Sequence, residues 1–292
     1  MASLLALLTL LTLTLPGVHL CKCNSPWWVG GHNPACPPQA WPGLRTTFRW
    51  APPAPLAPGG LAFQQQPRTQ AEAERQGWRS LAGFVNERVP WFNPRCPEGE
   101  KFYGQRFGHP KDPTIAVIYD SAGYIVGLQS VLLVKDVDLA LNPIDSHDTY
   151  VKDMFFEEPA WFTTMYLVDP NTICSRDRSR AEWNREGTGN QLTLLSIDKG
   201  GLMKFIELPL TKAEAIGDPG WFEHACFPGM GRHFFQFDHS PEQPCNTSQP
   251  LQLLYAEGGL GELLGFVWMH LTRLPQARWE KPDSRALASF VR

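Results

Sequence analysis

Residues 114–129 read TIAVIYDSAGYIVGLQ, with runs of β-branched and apolar residues on either side of Asp120 and Gly123. A tight turn between antiparallel strands needs a positive backbone φ, which glycine adopts without steric cost. This stretch therefore predicts a β-hairpin. The same arrangement recurs at residues 192–208 (LTLLSIDKGGLMKFIEL) and 251–268 (LQLLYAEGGLGELLGFVW). Three hairpins are thus predicted, although their similarity is too short to establish an internal repeat.

Two further stretches are rich in the aromatic and β-branched residues that favour strands: residues 161–168 (WFTTMYLV) and 233–238 (HFFQFD). Helical patterns do not alternate with the strands, so the chain lacks the crossovers that a parallel sheet needs. We therefore expect a mainly β fold (β-rich α+β). It would be an antiparallel sheet, a sandwich or a barrel built from hairpins, with a few short helices.

Helices are predicted at three places. Thr69 and Glu72 have the spacing of a capping box, which satisfies the free N–H groups of a helix N-terminus. Trp78, Leu81 and Val85 then follow at spacings that share one helical face, which predicts a helix from residue 69 towards residue 90. Shorter helices are predicted at residues 212–216 and 178–185.

The N-terminus predicts export. Residues 4–15 are an apolar run of Leu, Ala and Thr, followed by Pro16 and Gly17. This run is too short to span a bilayer but fits the hydrophobic region of a signal peptide. We expect residues 1–17 to be removed, with a later cut, as far as residue 21, as the alternative. A secreted protein without a membrane span is therefore expected.

The expected domain organisation follows from composition. Residues 18–64 are rich in Pro, Trp and Cys and predict an irregular segment pinned by disulfides, followed by a linker. Residues 65–292 are expected to form a single β-rich domain.

The cysteines and one sequon predict covalent features of a secreted glycoprotein. The closest later pair, Cys226 and Cys245, predicts a disulfide. A cut after Gly17 leaves seven cysteines, and this odd number implies a free thiol or a disulfide-linked dimer. A cut after Cys21 would restore an even number. Asn246 lies in the sequon Asn-Thr-Ser and is the expected glycosylation site.

Composition and motifs narrow the possible functions. The formal net charge of −3 over 292 residues provides no basic field, so nucleic-acid binding is not expected. Nucleophile elbows, zinc-protease motifs and phosphate-binding loops are absent from the sequence. An arginine-rich stretch at residues 174–185 could bind a polyanion, but its acidic residues favour a solvated loop.

The segment 221–239 is the densest in aromatic and polar side chains. Side chains alternate along a strand, so residues 233, 235, 237 and 239 would share one face. The candidate ligand-binding residues are Trp221, His224, His233, Phe235, Phe237 and His239. No cofactor is predicted. The alternative is a transition metal held by His224 and His233, whereas hydrogen-bonded histidines beside an aromatic core are the simpler interpretation.

We therefore expect a secreted, disulfide-stabilised protein that binds an apolar or amphipathic small molecule or an extracellular protein. A secreted enzyme that uses residues 224–239, with or without a metal, is one alternative. In another version of it, the loop residues His109 and His147 carry acid–base chemistry. A structural component of the extracellular matrix is the remaining alternative.

Overall fold

The computed structural model describes residues 45–47, 63–82, 101–140, 142–227, 231–236, 251–256, 261–270, 274–276 and 279. The protein is mainly β: twelve strands form two antiparallel sheets, and two short strands pair separately. The expected signal peptide and most of the expected Pro/Trp/Cys-rich segment lie outside the described residues. None of the described helices is long and apolar enough to cross a membrane.

The larger sheet has eight strands. Seven of them follow the order β10-β9-β8-β6-β5-β4-β3, and β7 also pairs with β8. Their bounds are β3 (Arg79–Ser80), β4 (Gln105–His109), β5 (Asp112–Tyr119), β6 (Ile125–Leu133), β7 (Val151–Phe155), β8 (Glu158–Tyr166), β9 (Thr193–Ile197) and β10 (Met203–Glu207).

The smaller sheet has four strands in sequence order: β11 (Trp221–Phe227), β12 (Gly231–Gln236), β13 (Leu251–Tyr255) and β14 (Leu263–Trp268). The separate pair is β1 (Arg45–Thr47) with β2 (Phe63–Gln65). The three predicted hairpins are confirmed as β5–β6, β9–β10 and β13–β14, and the two further predicted strands as β8 and β12.

Four short α-helices are described: α1 (Gln70–Arg75), α2 (Pro170–Ser175), α3 (Arg180–Glu186) and α4 (Lys212–Gly217). The capping box at Thr69 is confirmed, but α1 ends after six residues rather than continuing towards residue 90. Gly77, with φ of 84°, turns the chain in the left-handed region that glycine adopts without cost. Trp78 and Leu81 are buried on either side of the short strand β3, and Val85 lies outside the described residues.

Two segments of the chain share one sequence pattern and one local structure. Residues 67–80 read PRTQAEAERQGWRS, and residues 209–223 read PLTKAEAIGDPGWFE. Each contains a threonine-capped helix (α1 and α4) with a complete capping box. In each, the alanine after the capping glutamate is buried, and a buried tryptophan precedes the next strand.

The same tertiary contacts anchor both segments. The hydroxyl of Tyr119 donates to the carbonyl oxygen of Pro67 at 2.9 Å, and that of Tyr255 donates to Pro209 at 2.7 Å. The first N–H group of α1 donates to the carbonyl of Gly123, and the first of α4 donates to that of Gly261. The helix α1 is therefore tied to the turn of the β5–β6 hairpin, and α4 to the turn of the β13–β14 hairpin.

The strand registers also correspond. Phe107 pairs with Val117 across β4 and β5, and Phe234 pairs with Leu253 across β12 and β13. In both cases the anchoring tyrosine lies two residues further on and packs edge-on against the phenylalanine. The chain thus contains one helix-and-four-strand unit twice, at residues 67–133 (the first unit) and 209–268 (the second unit). Residues 134–208 are inserted between them.

One buried apolar cluster contains side chains of both units. Its members include these equivalent pairs: Ala73 with Ala215, Trp78 with Trp221, Phe107 with Phe234, Val117 with Leu253, and Tyr119 with Tyr255. A second cluster, on the other face of the larger sheet, includes Phe102, Ile118, Phe155 and Phe162. Because both faces of the larger sheet carry buried apolar side chains, its central strand β6 is buried along its whole length rather than on alternate residues.

Candidate functional site

An open cavity of about 370 Å³ lies at one end of the larger sheet, where the inserted segment meets the first unit. We call it the rim pocket. It is lined by Arg79, Pro110, Pro113, Leu133, Lys135, Phe155, Phe156, Glu157 and Glu158. Its volume falls within the range of small-molecule sites, and apolar residues make up most of its wall.

The floor of the rim pocket depends on a glycine. A Cβ atom at Gly108 would lie 2.7 Å from Cε2 of Phe155, so only glycine leaves room for this ring. Gly108 pairs with Arg79, whereas Phe235 pairs with Phe222 at the same register of the second unit. The two units therefore differ at this position: the first accepts Phe155 from the insertion, and the second carries its own aromatic ring.

Phe156 lies in the two-residue turn that joins β7 to β8. Its φ is 53°, and it is the non-glycine residue with positive φ among those the structure describes. A bulky side chain in this region costs of the order of 1 kcal/mol or more in backbone strain. The ring packs edge-on against Phe155 at a centroid distance of 4.9 Å. A strained aromatic residue thus stands at the mouth of the pocket, where glycine or asparagine would fold more easily.

The two cationic side chains of the rim pocket differ in whether they form an ion pair. Lys135 Nζ lies 2.6 Å from Glu158 Oε1, so this cation is already paired. Arg79 is exposed and forms no ion pair with any residue that the structure describes. The pocket therefore combines an apolar floor with a guanidinium group available at its edge.

The structure brings two of the candidate histidines together. An irregular register between Glu223 and Cys226 places His224 beside β12, and the rings of His224 and His233 both pack against Phe235, at 4.6 and 6.4 Å. Burial lowers the pKa of His233 to about 4; the neighbouring His224 and Arg232 lower it further, while hydrogen bonds with the backbone oppose the shift. His233 is therefore neutral at physiological pH.

The other candidate residues in this segment are only partly described. Trp221 and Phe235 are buried, and neither they nor the two histidines line the rim pocket. Cys226 is disulfide-bonded, and its pairing with Cys245 remains a prediction. Phe237, His239, Cys245 and Asn246 lie outside the described residues. Among the residues that the structure describes, no group of three or more His, Cys, Asp or Glu side chains could hold a metal ion.

The two histidines that the sequence predicted to lie in loops have separate aromatic partners, and His109 is the last residue of β4 rather than a loop residue. His109 packs edge-on against Trp78 at 5.7 Å, and His147 lies 6.3 Å from the ring of Tyr150. In the arginine-rich stretch, Arg176 and Arg185 pair with neighbouring glutamates, and the buried Arg178 pairs with Asp120. These ion pairs offset the charge of three of the four arginines in the stretch.

The sequence did not identify His270, which links the segment after β14 to the larger sheet. His270 Nε2 lies 2.8 Å from Ser130 Oγ, and its Nδ1 lies 2.9 Å from the hydroxyl of Tyr150. Burial lowers its pKa to about 3, so the imidazole is neutral: one ring nitrogen donates to one hydroxyl, and the other nitrogen accepts from the second hydroxyl. Ser130 is only 1% exposed, so this chain of hydrogen bonds holds the structure together rather than meeting a substrate.

The rim pocket is thus the described feature that combines open volume, apolar lining and available charge. Its residues come from positions 79, 110, 113, 133, 135 and 155–158, which only the folded structure brings together. No protein-family model, curated protein or solved structure matches the chain significantly.

Proposed function

We propose that the protein is a secreted binding protein that takes up a small amphipathic molecule in the rim pocket. The observation that carries the proposal is the cavity of about 370 Å³ between Leu133, Phe155 and Phe156, with charged side chains at its mouth. Apolar contacts would supply most of the binding free energy, and the charged side chains would orient the ligand.

Two features of the chain support the wider proposal. The apolar run at residues 4–15 and the cysteine-rich composition favour export. The cluster that includes side chains of both sheets supports a sandwich-like packing of the two sheets. In this proposal, His224, His233 and Phe235 belong to the buried face of the smaller sheet, and the ligand lies elsewhere.

Phe156 allows the proposal to be tested separately from folding. In the variant Phe156→Gly, the turn gains a residue suited to positive φ but loses the ring contact with Phe155, so we expect the free energy of unfolding to stay within about 1 kcal/mol of the wild-type value. The same change removes one aromatic wall of the pocket, so the affinity should fall by about tenfold. Urea denaturation measures the stability, and titration with 1-anilinonaphthalene-8-sulfonate, an amphipathic fluorophore, measures the binding.

The matched control is Phe222→Ala. Phe222 is a 39% exposed aromatic residue of the second unit and lies outside the rim pocket, so its loss should leave the affinity unchanged. Saturable binding that is weakened by Phe156→Gly and not by Phe222→Ala supports the proposal. Unaltered binding in the Phe156→Gly variant, or no saturable binding by the wild type, overturns it.

A further inference from the structure

We infer that the natural ligand of the rim pocket is a monoanionic amphiphile of roughly a dozen non-hydrogen atoms, whose acid group pairs with Arg79. This inference rests on the proposed function and adds the chemical class of the ligand. The juxtaposition that carries it is an exposed guanidinium without an ion-pair partner among the described residues, next to an apolar cavity.

Arg79 is the cation best placed for a ligand carboxylate. The competing cation, Lys135, is held by Glu158 at 2.6 Å. The planar guanidinium of arginine matches a carboxylate through two parallel hydrogen bonds, whereas an ammonium group acts as a point charge. A carboxylate bound at Arg79 would leave the rest of the ligand directed towards Leu133 and Phe155.

The duplicated unit provides a second, independent observation. Arg79 and Gly108 form a cross-strand pair in the first unit, and Phe222 and Phe235 form the equivalent pair in the second. The first unit therefore carries a cation and a glycine that admits the ring of Phe155, where the second unit carries two aromatic rings. These two differences occur together at the wall and beneath the floor of the rim pocket, as a site for a charged amphiphile requires.

Size and charge limit the ligand further. A volume of about 370 Å³, divided by the roughly 30 Å³ that a water molecule occupies in the liquid, accommodates roughly a dozen non-hydrogen atoms. Glu157 and Glu158 stand at the same mouth. A second negative charge on the ligand would therefore meet repulsion, which favours a monoanion over a dianion.

The test compares 4-phenylbutyrate with 4-phenyl-1-butanol, two ligands that share the apolar body and differ in the charged group. Isothermal titration of the wild-type protein should show about tenfold tighter binding of the acid. Arg79→Gln should remove this preference while leaving the affinity for the alcohol unchanged. Arg79→Lys should retain part of the preference. Arg75→Gln, at an exposed position of α1 outside the rim pocket, should retain all of it.

Two results would overturn the inference while leaving the proposed function intact: equal binding of the acid and the alcohol by the wild type, or an unchanged preference in Arg79→Gln. If the proposed function itself is wrong, the experiment gives a different result. In that case neither phenylbutyl compound nor the anilinonaphthalene fluorophore binds saturably, and this result overturns the inference as well. Thermal denaturation of each variant verifies that the protein remains folded.

Discussion

Burial sets the protonation state of two histidines in different parts of the fold. The pKa of His233 is lowered to about 4 and that of His270 to about 3, chiefly because each ring is removed from water. In the unfolded chain both would titrate near 6.5. Below that pH the unfolded state takes up protons that the folded state excludes, so the stability contributed by the neutral rings is complete above pH 6.5 and is lost as the pH falls.

We therefore expect acid lability between about pH 6.5 and 4. Each buried histidine should lower the free energy of unfolding by about 1.4 kcal/mol per pH unit in this window. Urea denaturation at a series of pH values measures the slope. Because His270→Asn removes one of the two groups, the variant should show a shallower slope than the wild type whatever its absolute stability. An identical slope would show that His270 is not held neutral in the folded state.

Phe156 shows at the residue scale how a strained turn borders the candidate site. A hairpin turn with positive φ is most easily made by glycine or asparagine, yet this chain has a phenylalanine there. Residue propensities therefore do not predict this turn, and the sequence alone did not identify Phe156 as a candidate site residue. The strain becomes visible only in the backbone geometry, together with the cavity that the ring borders.

At the scale of elements, the hairpins were predictable and the length of the first helix was not. Glycine between two β-prone runs strongly favours a tight turn between antiparallel strands, and all three predicted hairpins are present. The spacing of Trp78, Leu81 and Val85 matches that of residues on one face of a helix. However, Gly77 turns the chain first, and tertiary packing, rather than helical periodicity, buries Trp78 and Leu81.

The two capped helices should contribute equally to stability if the units are equivalent. Thr69 and Thr211 each accept a hydrogen bond from the backbone N–H three residues on, at 3.3 and 3.2 Å. Thr69→Ala and Thr211→Ala should each lower the free energy of unfolding by about 1 kcal/mol, measured by urea denaturation.

The matched controls are Thr69→Ser and Thr211→Ser, which keep the capping oxygen and should be nearly neutral. A large cost at one position with none at the other would mean that the two helices are not equivalent supports of the fold.

At the scale of the whole molecule, the fold consists of two copies of one structural unit with a segment inserted between them. The repeated pattern of capping threonine, alanine, glutamate and tryptophan was present in the sequence. A one-residue difference in spacing obscured it. So did the hairpin β9–β10, which belongs to the insertion but resembles the hairpins β5–β6 and β13–β14 in sequence. Strand register and the matched tyrosine contacts reveal the relationship because they compare positions in space.

The rim pocket belongs to this scale as well. One part of its wall comes from the first unit, through Arg79, Pro110 and Leu133, and the rest comes from the inserted segment, through Lys135 and residues 155–158. No local pattern links positions so far apart in the chain. The sequence directed attention to residues 221–239 because aromatic and histidine side chains are dense there, but four of those candidates are buried in the fold.

The most direct test of ligand binding in the rim pocket is a backbone amide NMR titration of the full-length protein with 4-phenylbutyrate. We expect the amide signals of Gly108, Phe156 and Glu157 to shift together and to saturate at one ligand concentration, while those of His233 and Phe235 stay in place. Shifts confined to His233, Phe235 and their neighbours on β12, or no saturable shift at the rim pocket, would contradict the assignment of the site.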